Sequence, residues 1–293
     1  MPSLGLLAQT ACIWEATARK PGNVHRFADF DDASYVDFLL SAVALHEVMA
    51  CAPLLGVGRT VRDAVQHTQR VVRSNTNLGI ILLLAPLAAA TDDEHYFSLR
   101  ADAGHLLTQL TVEDARLVYE AIRLAHPSGL GTVQEQDISA EPTLPLREVM
   151  ALAADRDLVA RQYANGFREV FDDGVPALRR GIDATGCLEG AIIFCHLSLM
   201  AKHPDSLIAR KRGTAEAEEA SRRARTVLDA GWPSAASADL FRGFDAWLRA
   251  EGRGRNPGTT ADLVTASLFA ALREGVLALP PSVPWTLPER LHI

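Results

Sequence analysis

Aromatic residues are scarce, at 6% of 293 positions, and the four cysteines (Cys12, Cys51, Cys187, Cys195) form no CxxC pair and have no histidine at zinc-like spacing. That pattern excludes a recognisable zinc framework or disulfide scaffold and leaves buried, reduced thiols of a cytoplasmic protein as the expectation. Positive charge is not in excess either. A net charge of -7 argues against nonspecific nucleic-acid binding. Long apolar runs are missing: the most apolar stretch, 78–90, contains Gly79 and Pro86 and falls short of the ~20 residues a membrane span needs. Residues 1–13 lack a basic leader and Glu15 interrupts the apolar stretch that follows, so no secretory signal is visible. Walker A, GxGxxG after a strand, HExxH and GxSxG are all absent. Any chemistry must come from less stereotyped loops.

What is present is helix-forming. Hydrophobic residues make up 48% of the chain and lean on Ala and Leu, both strong helix formers. Helical periodicity recurs along the chain and strand alternation almost nowhere. The spacing predicts about a dozen helices: 4–19, 34–51, 60–73, 76–90, 97–109, 112–125, 145–164, 166–180, 185–201, 214–230, 235–251 and 259–275. The expected fold class is all-α, a single multi-helix domain without a solenoid repeat. A mobile loop is expected at about 127–145, and an extended tail at 279–293, where Pro280, Pro281, Pro284 and Pro288 fall. An alanine-rich helical surface is compatible with a homodimer.

Four polar segments at the ends of apolar helices carry the functional reading. The first holds Glu15, Arg19, Lys20, Pro21, Gly22, Asn23, His25 and Arg26, followed by Asp29 and Asp31-Asp32. Gly22 lets a ligand approach the main chain, and Lys20 and Arg26 supply charge. A surface Glu15–Arg19 pair explains Glu15 equally well, but a helix stop needs neither Lys20 nor His25. The second is Ser74-Asn75-Thr76-Asn77, where Ser74 or Asn75 can cap the next helix and its first N–H groups suit a phosphate. In the third, Asp205 precedes Arg210-Lys211-Arg212-Gly213, which suits a flexible clamp on a triphosphate, although charge runs are usually solvated loops. The fourth runs from Arg253 through Asn256, Pro257, Gly258, Thr259 and Thr260 to Asp262. There Asn256 reads as N-cap and Pro257 as first helical residue, and Asp262 is placed to hold Mg²⁺ or a substrate hydroxyl. His46 and His67 sit within helices and read as ordinary helix residues.

In these four segments the chain resembles the triphosphoribosyl-dephospho-CoA synthase family. Glu15…Lys20-Pro21-Gly22-x-Val24 looks like its opening motif, and Asn75-Thr76-Asn77-x-Gly79 resembles its Asn-Thr-His-Lys-Gly segment. Asp205-Ser206 with the following basic residues and Gly213 is similar to its Asp-Thr…Arg-Gly-Gly stretch. Pro257-Gly258-x-x-Ala261-Asp262-Leu263 looks like its Pro-Gly-Gly-x-Ala-Asp-Leu-Leu motif. The resemblance spans roughly residues 10–275. It implies an all-α, Mg²⁺-dependent transferase that joins the ribose C1 of ATP to an acceptor hydroxyl and releases adenine. It implies catalytic roles for Glu15, Lys20, Asp205 and Asp262. Gly22, Asn23, His25, Arg26, Ser74, Asn75, Thr76, Asn77, Arg210, Lys211, Arg212, Gly213, Asn256, Gly258 and Thr259 would bind the nucleotide, and Asp29, Asp205 and Asp262 the metal. The departures are Asn77-Leu78 where the synthases carry His-Lys, His25 where an acidic residue is usual, Tyr163-Ala164-Asn165-Gly166-Phe167 in place of an Arg-Gly-Glu-rich motif, and a missing second glycine after Gly258. The Lys20-Pro21-Gly22-Asn23-Val24-His25 form resembles a divergent branch associated with one-carbon-carrier cofactors of the tetrahydromethanopterin or methanofuran type. True triphosphoribosyl-dephospho-CoA synthesis is the alternative, and a non-catalytic nucleotide-binding or scaffold protein the rival of another class.

Overall fold

The computed structural model describes residues 2–91, 98–127 and 135–287. These residues form fifteen α-helices and one π-helical turn, and among them there is no strand, only two isolated bridges in the loop after the first helix. The chain is all-α, as its periodicity implies. Its packing separates into two units, one of Met1–Ile13 with Val36–Arg168, the other of Trp14–Tyr35 with Glu169–Ile293.

The first unit holds most of α1 (Leu4–Thr17) and α2 (Tyr35–Ala50), with α3 (Ala52–Leu55), α4 (Val57–Val71), α5 (Leu78–Ala89), α6 (Leu99–Thr108), α7 (Val112–Ala125), α8 (Leu146–Ala151) and α9 (Leu158–Asn165). Its centre is α5, apolar on every side and buried along nearly its whole length. At 12 residues it is about 18 Å long, and no described helix is long and apolar enough to cross a membrane. Pro86 sits inside α5 and cannot donate to the Leu82 carbonyl one turn back. The buried Tyr163 hydroxyl of α9 donates to that carbonyl instead, at 2.6 Å, so no backbone acceptor is stranded by the proline. The α4–α7 contact is equally specific. A Cβ on Gly58 would lie 2.6 Å from Asp114 Cα, and the Gly58 N–H donates to Asp114 Oδ1 at 2.9 Å.

The second unit is built on α11 (Leu188–Lys202), buried almost all round. Against it pack α10 (Val175–Thr185), α13 (Thr214–Asp229) and α15 (Gly258–Arg273), with α12 (Ser206–Arg212) and α14 (Ala235–Arg249) alongside. Small residues allow close approach: a Cβ on Gly181 would sit 2.6 Å from Ala191 Cα. The π-helical turn Glu169–Gly174 leads into α10 and presses Gly174 onto Ser267 of α15.

Several predicted helices differ. The stretch 145–164 is two helices, because Asp157 accepts from the Val159 and Ala160 N–H groups and starts a new one. The helix foreseen over 166–180 begins later: Gly166 is left-handed at φ 71° and closes α9, and the π-helical turn intervenes. The basic run 210–212 lies in α12 rather than in a flexible loop. Asp205 caps α12 at its start and Gly213 (φ 93°) ends it, which puts the three cations in its last turn, where they complement the dipole. Pro257, not Asn256, is the N-cap of α15. Cys51 is exposed, whereas Cys12, Cys187 and Cys195 are buried as expected. Part of the expected mobile loop lies outside the described residues. Its described part carries turns held by the Gln136–Thr143 and Asp137–Ser139 hydrogen bonds. In the tail, Pro284 and Trp285 present carbonyls to the Leu188 and Glu189 N–H groups that open α11, while Pro288 lies outside the described residues.

Candidate functional site

Three of the four polar segments meet in the second unit. Helix α1 ends where Lys20 folds back, fully buried, and donates through Nζ to the Glu15 carbonyl and to the Ala18 carbonyl (3.2 Å), with Glu15 Oε1 at 3.0 Å. The ammonium thereby satisfies the helix's last carbonyls and pairs with a carboxylate one turn inside. Burial pushes the Glu15 carboxyl above its usual range and the Lys20 amine below its own, and each partner's charge pulls the other back. Beyond it, Gly22 has φ 73° and its missing Cβ would fall 2.6 Å from Leu248 Cβ, so both conformation and space demand glycine there.

The loop is then stitched to the last turns of α14 and to the segment that joins it to α15. Asp245 Oδ1 accepts from the Gly22 N–H (2.7 Å) and from Arg249 Nε (2.8 Å), while Arg249 Nη2 donates to the Asn23 carbonyl (2.6 Å). Asn23 Nδ2 reaches the Pro257 carbonyl at 3.5 Å, and Arg253 pairs with Asp32 at 2.7 Å. Lys211 of α12 donates to the Arg253 carbonyl at 3.3 Å. Asp205 joins the third and fourth segments. One oxygen accepts from the Leu207 and Ile208 N–H groups (2.9 and 3.0 Å), the other from the Thr260 N–H and hydroxyl (2.7 and 2.8 Å). Burial raises this carboxyl, against the pull of those four donors. Gly258 is fixed by packing, since a Cβ would lie 2.7 Å from Leu207 Cδ2, and Thr259 is buried beside it.

Polar atoms at this junction remain without partners. Asn256 Oδ1 and Arg253 Nε are buried with no hydrogen bond, and neither ring nitrogen of His196 has a well-aligned one, although the ring stands by the Pro21 carbonyl. Burial and the Lys20 charge hold His196 down at about 3; burial, Arg249 and Lys20 hold His25 at about 4, its Nδ1 accepting from the Phe27 N–H. Both rings are therefore neutral at pH 7. Orphaned buried groups in a native site ask for water or ligand. An unpaired guanidinium N–H and an unpaired amide oxygen in the same loop would suit a phosphorylated sugar or nucleotide.

A family model described as ATP:dephospho-CoA triphosphoribosyl transferase matches residues 1–279. The chain belongs to that family. The triphosphoribosyl transferase family is one of transferases that use ATP, and a solved structure supports the same placement. It comes from Archaeoglobus fulgidus, is described provisionally as a triphosphoribosyl-dephospho-CoA synthase, and shares 27% identity at a TM-score of 0.63 over 81% of this chain and 99% of its own. No curated protein matches the chain.

Within this transferase the second polar segment lies in the first unit. Ser74, Asn75 and Asn77 line a cavity of about 250 Å³ with Arg73, Gln69 and His126. The N-cap position of α5 is Asn77 rather than Ser74 or Asn75, and its side chain makes no capping bond; Asn75 Oδ1 accepts from the Leu78 N–H at 3.1 Å from two residues upstream of it. Asn77 Nδ2 donates to Thr68 Oγ1 and Thr76 pairs with Ser41. Of the basic run, Arg212 pairs with Glu251 and Arg210 is exposed.

For a divalent ion the carboxylates divide. Asp205 does not fit as a ligand, because both its oxygens already take N–H or O–H donors. Exposed Asp29 has one oxygen on the Tyr35 N–H (2.6 Å), and half-buried Asp262 lies one turn inside α15. Among the described residues no three His, Cys, Asp or Glu side chains cluster to hold a metal by themselves. Asp29 and Asp262 therefore suit only an ion that arrives with phosphates, which Mg²⁺ commonly does.

The residue that sequence reasoning missed is Glu189. It is buried in the first turn of α11, where it accepts from Arg19 Nε and Nη2 (2.8 and 2.9 Å) and from Arg26 Nη2 (3.1 Å). Burial works against ionisation, but the two guanidiniums hold its carboxyl below the usual range. The available signal was a lone charge inside the apolar run 188–195, since a buried carboxylate must be paired.

Proposed function

We propose that the junction of residues 19–32, 205–213 and 249–262 is the site of an ATP-dependent transfer in cofactor biosynthesis, with a one-carbon-carrier precursor of tetrahydromethanopterin or methanofuran type as acceptor. The observation that carries this reading is the convergence of three separate loops, joined by Asp205, Asp245 and Arg249 around orphaned polar atoms. In the proposed reaction the bond from ribose C1 to adenine breaks, C1 bonds to the acceptor's hydroxyl oxygen, and the hydroxyl proton leaves to balance the departing adenine. Arg26, Arg253 and Lys211 face the triphosphate, and Asn23 and Asn256 take the ribose. In this reading Asp262 stabilises the positive charge that develops at C1, and pre-aimed charge of that kind is usually the largest single source of rate enhancement. Mg²⁺, held at Asp29 and Asp262, would neutralise phosphate charge. Lys20 and Asp205 act by position, holding the ends of α1, α12 and α15.

Dephospho-CoA is the second reading, favoured by the family match over residues 1–279. Mass spectrometry after incubation with ATP, Mg²⁺ and dephospho-CoA separates the two. Free adenine with a triphosphoribosylated product establishes the second reading. ATP that survives yet raises the unfolding temperature supports a different acceptor, to be sought among one-carbon-carrier precursors. ATP that neither reacts nor protects the protein refutes both.

A further inference from the structure

Helices in water carry charge on their outer face; the outer face of α2 and α3 does not. Between residues 35 and 54 the positions open to solvent are Val36, Leu40, Val43, Glu47, Ala50, Cys51, Pro53 and Leu54, and Glu47 alone is charged. The series 36, 40, 43, 47, 50, 54 advances by four and three in turn, the spacing of a helix–helix seam. Val36 is 57% exposed, Leu40 41%, Val43 55% and Leu54 91%, and Leu6 of α1 adds 39%. Leu6 belongs to the same surface, because its neighbour Gly5 packs on His46 and Ala50 and Gln9 pairs with His46. The opposite face of α2 is where the unit's core begins, at Ser41, Ala42, Leu45, Val48 and Met49.

We propose that this face is the two-fold interface of a homodimer. The exposed fractions amount to nearly three whole aliphatic side chains, on the order of 400 Å² of apolar surface per protomer with Ala50 and Pro53. A stable dimer buries about 800 Å² per partner, of which roughly 60% is apolar, so the patch matches the apolar share such an interface requires. A single stripe of similar residues can also oppose a copy of itself, as a two-fold axis demands. The axis crosses α2 near its middle and runs the two helices antiparallel, each end of one stripe against the far end of the other. The surroundings disfavour a membrane surface. Residues 29–58 contain no Lys or Arg but do contain Asp29, Asp31, Asp32, Asp37 and Glu47, the wrong sign for anionic lipid.

Light scattering on the eluting full-length protein tests this directly. The expected mass is twice that of the chain, and Leu40→Glu with Val43→Glu should halve it while leaving the helical circular dichroism intact. A monomer at high micromolar concentration overturns the proposal, as does a dimer that survives both substitutions. A second measurement needs no variant. Cys51 is the exposed thiol among four cysteines and stands next to Ala50 at the edge of the seam, so its maleimide labelling should slow several-fold as protein concentration rises through the dimerisation range. A labelling rate independent of concentration, or capture of the protein by anionic vesicles, counts against a protein partner of this kind.

Discussion

Asp205→Ala separates a positioning role from a chemical one. The side chain accepts four hydrogen bonds in a fully buried place, two from the start of its own helix and two from Thr260 of α15. Losing the cap on α12 costs about 1 kcal/mol. Stranding the Thr260 N–H and hydroxyl away from water costs about 1–3 kcal/mol for each group left unmade. The expected loss is therefore about 3–7 kcal/mol, a large part of the ~5–15 kcal/mol by which a domain is stable. Asp205→Asn keeps the shape and one acceptor but turns an NH₂ toward N–H donors, and should fall between wild type and alanine. Thr260→Val removes the hydroxyl bond alone and should cost about 1 kcal/mol. Urea unfolding followed by circular dichroism gives the three values, and adenine release per folded molecule gives the activity. If Asp205→Ala stays within about 0.5 kcal/mol of wild type, the range of neutral surface changes, while turnover vanishes, Asp205 is chemical and the positioning argument is wrong.

Other consequences are as direct. His196 and His25 have folded pKa values depressed to about 3 and about 4 from 6.5. Their stabilising contribution is thus complete above pH 6.5 and is lost as pH falls toward 4, because the unfolded chain binds the protons first. Urea midpoints at pH 7.5, 5.5 and 4.5 should decline in step, and His196→Phe should flatten the slope; an unchanged slope removes His196 as the cause. Gly22→Ala should cost about 2–4 kcal/mol, from a left-handed conformation and a Cβ driven into Leu248. Gly56→Ala, equally left-handed at φ 74° but with nothing within 4 Å, should cost only about 1–2 kcal/mol; equal thermal shifts would show that crowding at Gly22 is relieved elsewhere. Arg253→Ala should weaken ATP binding about 10–100-fold by titration calorimetry if it forms one charge-assisted phosphate contact, whereas Asp32→Asn, which frees Arg253, should leave binding intact or tighter.

The helical class and most helix ends were legible because they depend on local chemistry. The turn at Pro21-Gly22 stops α1, and Thr111 with Asp114 forms the reciprocal cap that starts α7. The candidate site was legible as segments that a helix stop alone does not explain, and the contact of Asp205 with Thr260 joins two of them across 55 positions. What local pattern could not supply was partnership. Arg210-Lys211-Arg212 looks like a solvated clamp until Asp205 is seen capping α12. Lys20 looks like a free cation until its Nζ is found on the carbonyls of α1. Glu189 carries no motif; only its two arginines, 170 and 163 positions away, give it meaning. Cys51 reads as a core thiol by composition and is exposed because it falls at the junction of α2 and α3, on the side that faces solvent.

The burial of Lys20 has a practical use. The lysines of this chain are Lys20, Lys202 and Lys211, and Lys20 is sealed beneath the end of α1. An acylating reagent can reach its amine only when that helix end transiently opens. The slow fraction of amine modification, followed by peptide mapping, therefore clocks local opening of the loop in the intact protein. A ligand that rests on the loop would slow the clock, which reports occupancy of the site with no knowledge of the reaction it carries out.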